Sequence, residues 1–298
     1  MLAFALAIPC ILLTGAAWGA DGSPKRLDDM VYARIGDRAL HINLVLPSDY
    51  QTRQYPAVIW VHGGGWHGGT YKENLAGAFK LFQKGFVTGS IEYRLSTEAK
   101  YPAQIHDCKA AIRFLRANAK KYGIDPDRIG VWGGSAGGHL VALLGTANGI
   151  AQLEGSVGDH VGTSSRVQAV CDVYGPTEFT EATLKDYQPA LYNVIEKLLG
   201  GTVKEKRGLA RLASPVEFAS KDDGPMLIVH GDKDALVPIS QSQRLYDALK
   251  QVGANVRFVT VKGAGHGFYP TEQTEPSFDE VIKTIGDFFQ KTLVDRKE

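Results

Sequence analysis

The chain has 298 residues, 44% of them hydrophobic, and 33 Lys+Arg against 32 Asp+Glu leave a formal charge of +1. That length suffices for one large α/β domain with a sizeable core, and a second full domain is not needed. The near-zero charge excludes the basic field that phosphate neutralisation requires, so no nucleic-acid partner is expected.

Met1 to Trp18 is almost wholly apolar and runs through small residues to Ala20 before the polar Asp21-Gly22-Ser23-Pro24-Lys25-Arg26. This pattern predicts a signal peptide over residues 1–20, cleaved near Gly19 or Ala20. It implies a secreted or periplasmic protein with no stable membrane insertion after cleavage. The leader lacks Lys and Arg, which keeps an uncleaved membrane anchor as the alternative. Three cysteines, Cys10, Cys108 and Cys171, show neither C-x-x-C pairing nor metal-ligand spacing. Cys10 lies in the leader. The other two read as buried thiols, with a Cys108–Cys171 disulfide left open by export.

Residues 21–298 read as one domain. Val31 to Ile35 and Ala39 to Leu46, separated by Gly36-Asp37-Arg38, predict a hairpin whose second arm alternates Leu40, Ile42, Leu44 and Leu46. Pro56 to Val61 is a continuous apolar run that suits a strand covered on both faces, and it feeds His62-Gly63-Gly64-Gly65-Trp66-His67-Gly68-Gly69. A strand over Val87 to Leu95 follows. Ile105, Cys108, Ala111, Ile112, Leu115 and Ala119 recur with helical period over Ala103 to Tyr122, ending at Gly123. Ile129 to Trp132 then reads as a buried strand running into a glycine-rich turn and a helix-like stretch, His139 to Leu144. Strands are expected at Val167 to Tyr174, Met226 to His230 and Val256 to Val261, and helices at Ser240 to Val252 and Phe278 to Leu293. A hairpin followed by alternating strand and helix predicts an α/β fold, a mostly parallel eight-stranded sheet flanked by helices. Residues 177–224 are longer than a crossover needs. They carry one helical stretch, Leu184 to Leu199, and a basic tail with Lys204, Lys206, Arg207 and Arg211. The segment reads as a small lid insertion and its charges as a solvated face.

Gly133-Gly134-Ser135-Ala136-Gly137 fits a nucleophile elbow, in which small residues two places either side let the serine occupy a strained strand-to-helix turn. Three glycines directly after a buried strand free backbone N–H groups to converge, so Gly64, Gly65 and Ala136 are the candidate oxyanion-hole donors. A serine hydroxyl needs a base, and the base needs a carboxylate to hold its tautomer. His139, His160, His230 and His266 follow the serine. His139, one turn along the helix, suits packing, and His230, at a strand end, suits a satisfied core histidine. His266 stands on a glycine-flanked loop after the last strand, where a base can reach in. Asp234, three residues past Gly231, is the favoured carboxylate, with Asp232 as the alternative. The order Ser135, Asp234, His266 is that of α/β-hydrolases.

From about His41 to the C-terminus the chain resembles the α/β-hydrolases of the HGGG esterase group. It is similar to the hormone-sensitive-lipase-like carboxylesterases and still closer to the bacterial feruloyl and acetylxylan esterase-like branch. The matching stretches are His62-Gly63-Gly64-Gly65-Trp66, Tyr93-Arg94-Leu95-Ser96, Trp132 to Leu140, Tyr174-Gly175-Pro176-Thr177, His230-Gly231-Asp232-Lys233-Asp234 with Val237-Pro238, and Gly265-His266-Gly267. Glu92 stands where the family usually has Asp before Tyr-Arg-Leu, which keeps the charge. The resemblance implies a serine carboxylesterase acting through an acyl-enzyme on Ser135, with no metal or organic cofactor and a small-molecule or carbohydrate ester as substrate. The large helical cap of lipid-active relatives is not expected. Trp66, Tyr174, Phe179 and Phe268 fall in loops that such a fold brings to one end of the sheet, predicting a partly aromatic substrate wall, the alternative being rings that only pack the loops. Short acyl groups, or an aromatic acid esterified to a sugar, would suit it. A serine peptidase or amidase, or a lipase-like enzyme of the same fold, is the alternative; a binding protein would have lost a triad member.

Overall fold

The computed structural model describes residues 23–72, 80–187, 189–268 and 273–295. The leader and Cys10 lie outside the described residues. A hairpin opens the sheet: β1 (Lys25–Ile35) and β2 (Arg38–Leu46) pair antiparallel, with Ile35 opposite Arg38. Leu40, Ile42, Leu44 and Leu46 are fully buried, which is the half-buried alternation the sequence shows. Then come β3 (Tyr55–Val61), β4 (Val87–Ile91), β5 (Ile124–Gly134), β6 (Ala169–Val173), β7 (Met226–Gly231) and β8 (Val256–Val261). The eight strands lie in the order β1-β2-β4-β3-β5-β6-β7-β8. β2 pairs antiparallel with β4, and every later pairing is parallel.

Among the described residues five longer helices wrap the sheet: α1 (Ala103–Ala117), α2 (Ala136–Thr146), α3 (Pro189–Leu199), α4 (Ile239–Gln251) and α5 (Phe278–Phe289). They cover opposite faces because β3 alternates its side chains. Ala57, Ile59 and Val61 join one core, with α1, α2 and α4, while Val58 joins the other with Val281, Ile285 and Phe289 of α5. Each aliphatic side chain so buried contributes roughly 1.5–3 kcal/mol. Cys108 belongs to the first core and Cys171 to the second. The sheet stands between them, and both are free, buried thiols.

The differences from the sequence expectation have local causes. β4 ends at Ile91, not Leu95, because Glu92 turns to accept hydrogen bonds from Arg38 and from the backbone and ring of His41. The helix expected over Ala103 to Tyr122 breaks after Ala117 into a 3₁₀ turn, Ala119–Tyr122, closed by Gly123 at φ 62°. Among the described residues, 177–224 hold α3, two short α-helical turns, Glu181–Leu184 and Arg207–Leu212, and a 3₁₀ turn, Pro215–Phe218, rather than one helix. Leu184, Leu191, Ile195, Leu198 and Val203 from this segment continue the first core. Tyr101 ties it down, its N–H donating to Leu198 and its hydroxyl to Leu212.

Candidate active site

Parallel strands deliver their carboxyl ends to one edge, and β3, β5, β6, β7 and β8 are followed there by the glycine loop, Ser135, Tyr174, the Asp232–Asp234 turn and the His266 loop. Ser135 joins β5 to α2 at φ 57° and ψ −121°, a region that non-glycine residues rarely occupy. Such a conformation costs on the order of 1–3 kcal/mol. It persists because β5 on one side and α2 on the other are buried, and because the Ser135 N–H donates to Val173 at 2.9 Å. The flanking glycines are a steric requirement. A Cβ on Gly133 would sit 2.6 Å from the Gly137 carbonyl, and one on Gly137 would be driven into the Val61 and His62 carbonyls.

The glycine loop approaches the serine from β3. A Cβ on Gly63 would lie 2.8 Å from the Gly134 carbonyl oxygen and 3.5 Å from Cβ of Ser135. Gly64, Gly65 and Trp66 all have positive φ, at 101°, 59° and 59°. The N–H groups of His67 and Gly68 both turn back to the Gly64 carbonyl. Among the described residues, none accepts from the N–H of Gly64, Gly65 or Ala136. Ala136 also opens α2, so its N–H lies at the positive end of the helix dipole.

Buried side chains brace this loop from beneath. Tyr93 stacks on His62 with ring centroids 4.2 Å apart and donates its hydroxyl to the His62 carbonyl. The Trp66 indole N–H donates to Nδ1 of His139, whose Nε2–H donates to the Ala213 carbonyl at 2.7 Å. Burial pushes both His62 and His139 down to about 4, so each is a neutral strut at neutral pH. The packing role expected of His139 is therefore what its contacts give. The contribution of Tyr93 was not legible, although its motif was.

At the other end of the site, Oδ2 of Asp234 lies 2.7 Å from Nδ1 of His266. Its Oδ1 accepts the N–H groups of Leu236 and Val237, both at 2.9 Å. Burial alone would raise this carboxyl, but the hydrogen bonds from His230 and His266 outweigh it and hold the group well below the usual carboxylate range. Asp232 instead accepts the Gly263 N–H at 2.7 Å, fastening one turn to the next. The structure thus pairs His266 with Asp234 and not with Asp232. His160 sits by Asn118 and Phe114, at the end of α1.

The aromatic residues divide. Tyr174, at φ 46° and half-buried, lies 4.6 Å from the His266 ring and 5.0 Å edge-on from Phe268, centroid to centroid. Its hydroxyl would be 2.9 Å from a Cβ on Gly134, so Tyr174 touches the serine strand and the histidine loop together. Trp66 and Phe179 are corrections: both are buried, packed edge to face at 5.9 Å and against His139. They support the glycine loop from inside the core and do not form a wall. Phe268, 5% exposed, backs Tyr174. No motif or spacing pointed to Asp172 either. Its buried Oδ1 accepts the Gly175 N–H, Oδ2 has no partner among the described residues, and burial raises the carboxyl to about 6.

Among the described residues no helix is long and apolar enough to cross a membrane, and no group of three or more His, Cys, Asp or Glu could hold a metal ion. The topology, the strained serine after β5 and the Asp234–His266 pair define an α/β-hydrolase. Within that class the chain belongs to the BD-FAE family, whose profile matches residues 42–249; a TAP-like protein profile matches residues 209–296. Esterase LipC of Mycobacterium tuberculosis is 32% identical over 222 residues, 74% of this chain and 55% of LipC. The chain spans about half the length of the curated relatives it matches. A truncated carbohydrate esterase from gut microbiota superimposes with a TM-score of 0.79 at 33% identity, over 92% of this chain and 98% of that one. The butyrate-bound form of esterase 2 from Thermogutta terrifontis gives 0.73 at 25% identity, over 93% and 97%.

Proposed function

We propose that this chain is a secreted serine carboxylesterase that hydrolyses short-chain or aromatic-acid esters, carbohydrate-linked ones included, through an acyl-enzyme on Ser135. The observation that carries the reading is the 2.7 Å contact between Asp234 and His266, at the sheet edge where Ser135 is held in a strained turn. His266, its Nδ1–H held by Asp234, takes the Ser135 proton on Nε2 as Oγ attacks the ester carbonyl. The N–H groups of Gly64, Gly65 and Ala136 receive the oxyanion, each such donor lowering the barrier by about 2.7–4 kcal/mol. His266 returns the proton to the departing alcohol, and water repeats the cycle on the acyl-enzyme.

Three features support the substrate class. One structural relative is a carbohydrate esterase and another holds butyrate. Tyr174 gives the histidine side one half-buried ring. Residues 177–224 act as a small lid, for which the approach of Val194 to Gly65 speaks: a Cβ there would be 3.1 Å from Cγ1 of Val194. The apolar residues 1–20 support export.

The experiment is hydrolysis of acetyl, butyryl and feruloyl esters by the wild type and by Ser135→Ala, side by side. Loss of at least about a thousandfold in the variant with an unchanged melting temperature is expected. Residual activity within about tenfold of wild type would remove Ser135 from the mechanism.

A further inference from the structure

We propose that His230 and Ser242 form a positioning pair behind Asp234, fixing the carboxylate oxygen that serves His266. The inference rests on the reading of Asp234 and His266 given above and adds two residues to it. His230 is the penultimate residue of β7 and Ser242 lies in the first turn of α4; both are fully buried. Nδ1 of His230 lies 2.7 Å from the Ser242 hydroxyl, and Nε2 lies 2.9 Å from the Val237 carbonyl. A carbonyl can only accept, so Nε2 carries the proton and Nδ1 accepts from Ser242. The tautomer is thereby fixed, and the same Nε2 stands 3.3 Å from Oδ2 of Asp234. That is the oxygen which lies 2.7 Å from His266.

Both ring nitrogens of His230 are committed, Nε2 to this loop and Nδ1 to α4. Val237 is held twice, its carbonyl by His230 and its N–H by Oδ1 of Asp234. His230 satisfies the Val237 carbonyl and with the same Nε2–H faces Oδ2 of Asp234, while Ser242 holds the ring from the Nδ1 side; satisfying Val237 alone would not require the donor to stand against the oxygen that serves His266. The shared Nε2–H draws charge from Oδ2 and stops the carboxylate from swinging. With that donor gone, Oδ2 carries more negative charge and favours protonated His266 more strongly, so the base is silenced at a higher pH. The other groups facing the pair are Tyr174, 6.4 Å from the His230 ring and 4.6 Å from His266, and the buried Asp172 on the neighbouring β6. Neither is altered by the substitutions below.

The test is the pH profile of kcat/KM on p-nitrophenyl butyrate for His230→Phe, His230→Gln and Ser242→Ala, with thermal melts of each. His230→Phe keeps the ring and removes the donor. It is expected to lower kcat about tenfold or more, to leave KM within about threefold, and to move the acid limb up by roughly half a pH unit or more. His230→Gln, whose terminal N–H can stand near the place of Nε2, is expected to keep kcat within about threefold and the limb where it was. Ser242→Ala removes the donor that holds the ring at Nδ1 and should shift the limb in the same direction by less. An unmoved or lowered limb in His230→Phe, or a Gln variant that shifts as far as Phe, overturns the proposal. Should His230→Phe fail to fold, Ser242→Ala decides on the same criterion. Activity surviving in Ser135→Ala would instead overturn the reading of the site itself.

Discussion

Asp234 and His266, 32 residues apart in the chain, meet at 2.7 Å between Oδ2 and Nδ1, while Asp232 in the same turn is occupied with the backbone of Gly263. Two carboxylates two residues apart therefore have separate tasks: one orients an imidazole, the other pins a loop.

The substitutions Asp234→Asn and Asp232→Asn separate those tasks. Asp234→Asn should cost on the order of 10⁴ in kcat, because an amide presenting its NH₂ to Nδ1 favours the wrong imidazole tautomer. Asp232→Asn retains an acceptor for Gly263 and should stay within about tenfold. Rates measured at saturating ester decide; the opposite ranking would transfer the orienting role to Asp232.

Gly137→Ala tests the steric argument for the elbow. The new Cβ would lie 2.7 Å from the His62 carbonyl and closer still to that of Val61, both backbone atoms of a central strand and its loop. Destabilisation of about 1–3 kcal/mol or more is expected, with loss of activity as Ser135 shifts. Gly162→Ala meets nothing within 4 Å and should stay within about 0.5 kcal/mol of wild type. Equal melting temperatures for the two variants would refute the account.

His139 links the glycine loop to pH. Burial lowers it to about 4 in the fold, against about 6.5 in an unfolded chain. Between these values the unfolded state binds the extra proton, so the stabilisation is present above pH 6.5 and is lost as pH falls toward 4. His139→Gln lacks the titration. Its destabilisation relative to wild type should shrink by roughly 2 kcal/mol between pH 7 and pH 5 in chemical denaturation. A pH-independent difference would mean that His139 is not held neutral in the core.

Acyl-chain length tests the substrate class. On the proposed short-chain reading, α3 against the glycine loop and Tyr174 as the half-buried ring beside His266 suit short acyl groups. Across p-nitrophenyl esters, kcat/KM should fall about tenfold or more from four to twelve acyl carbons, since each methylene left in water forgoes roughly 0.8 kcal/mol of burial. A flat or rising series would favour a lipase-like enzyme.

The sequence by itself determined the features whose causes are local. Alternating Leu40, Ile42, Leu44 and Leu46, the continuous apolar run of β3 and the helical period of α1 report which faces meet a core, and the eight strands and their mostly parallel order follow. Gly133, Gly137 and the 63–65 triplet are equally readable, because a backbone that must turn left-handed or pass close to another tolerates no Cβ. Tertiary structure alone decided which of several equivalent side chains meet. Asp232 and Asp234 have the same chemistry, and only the relative placement of β7 and β8 brings the second to His266. Trp66 and Phe179 read as wall residues from their loops, yet the positive φ of Trp66 and the bond from its indole to His139 place the rings beneath the glycines. Cys108 and Cys171 could have paired by composition, but strand alternation sends them to opposite faces of the sheet. Contacts of this kind depend on residues far apart in the chain, and no spacing or period records them.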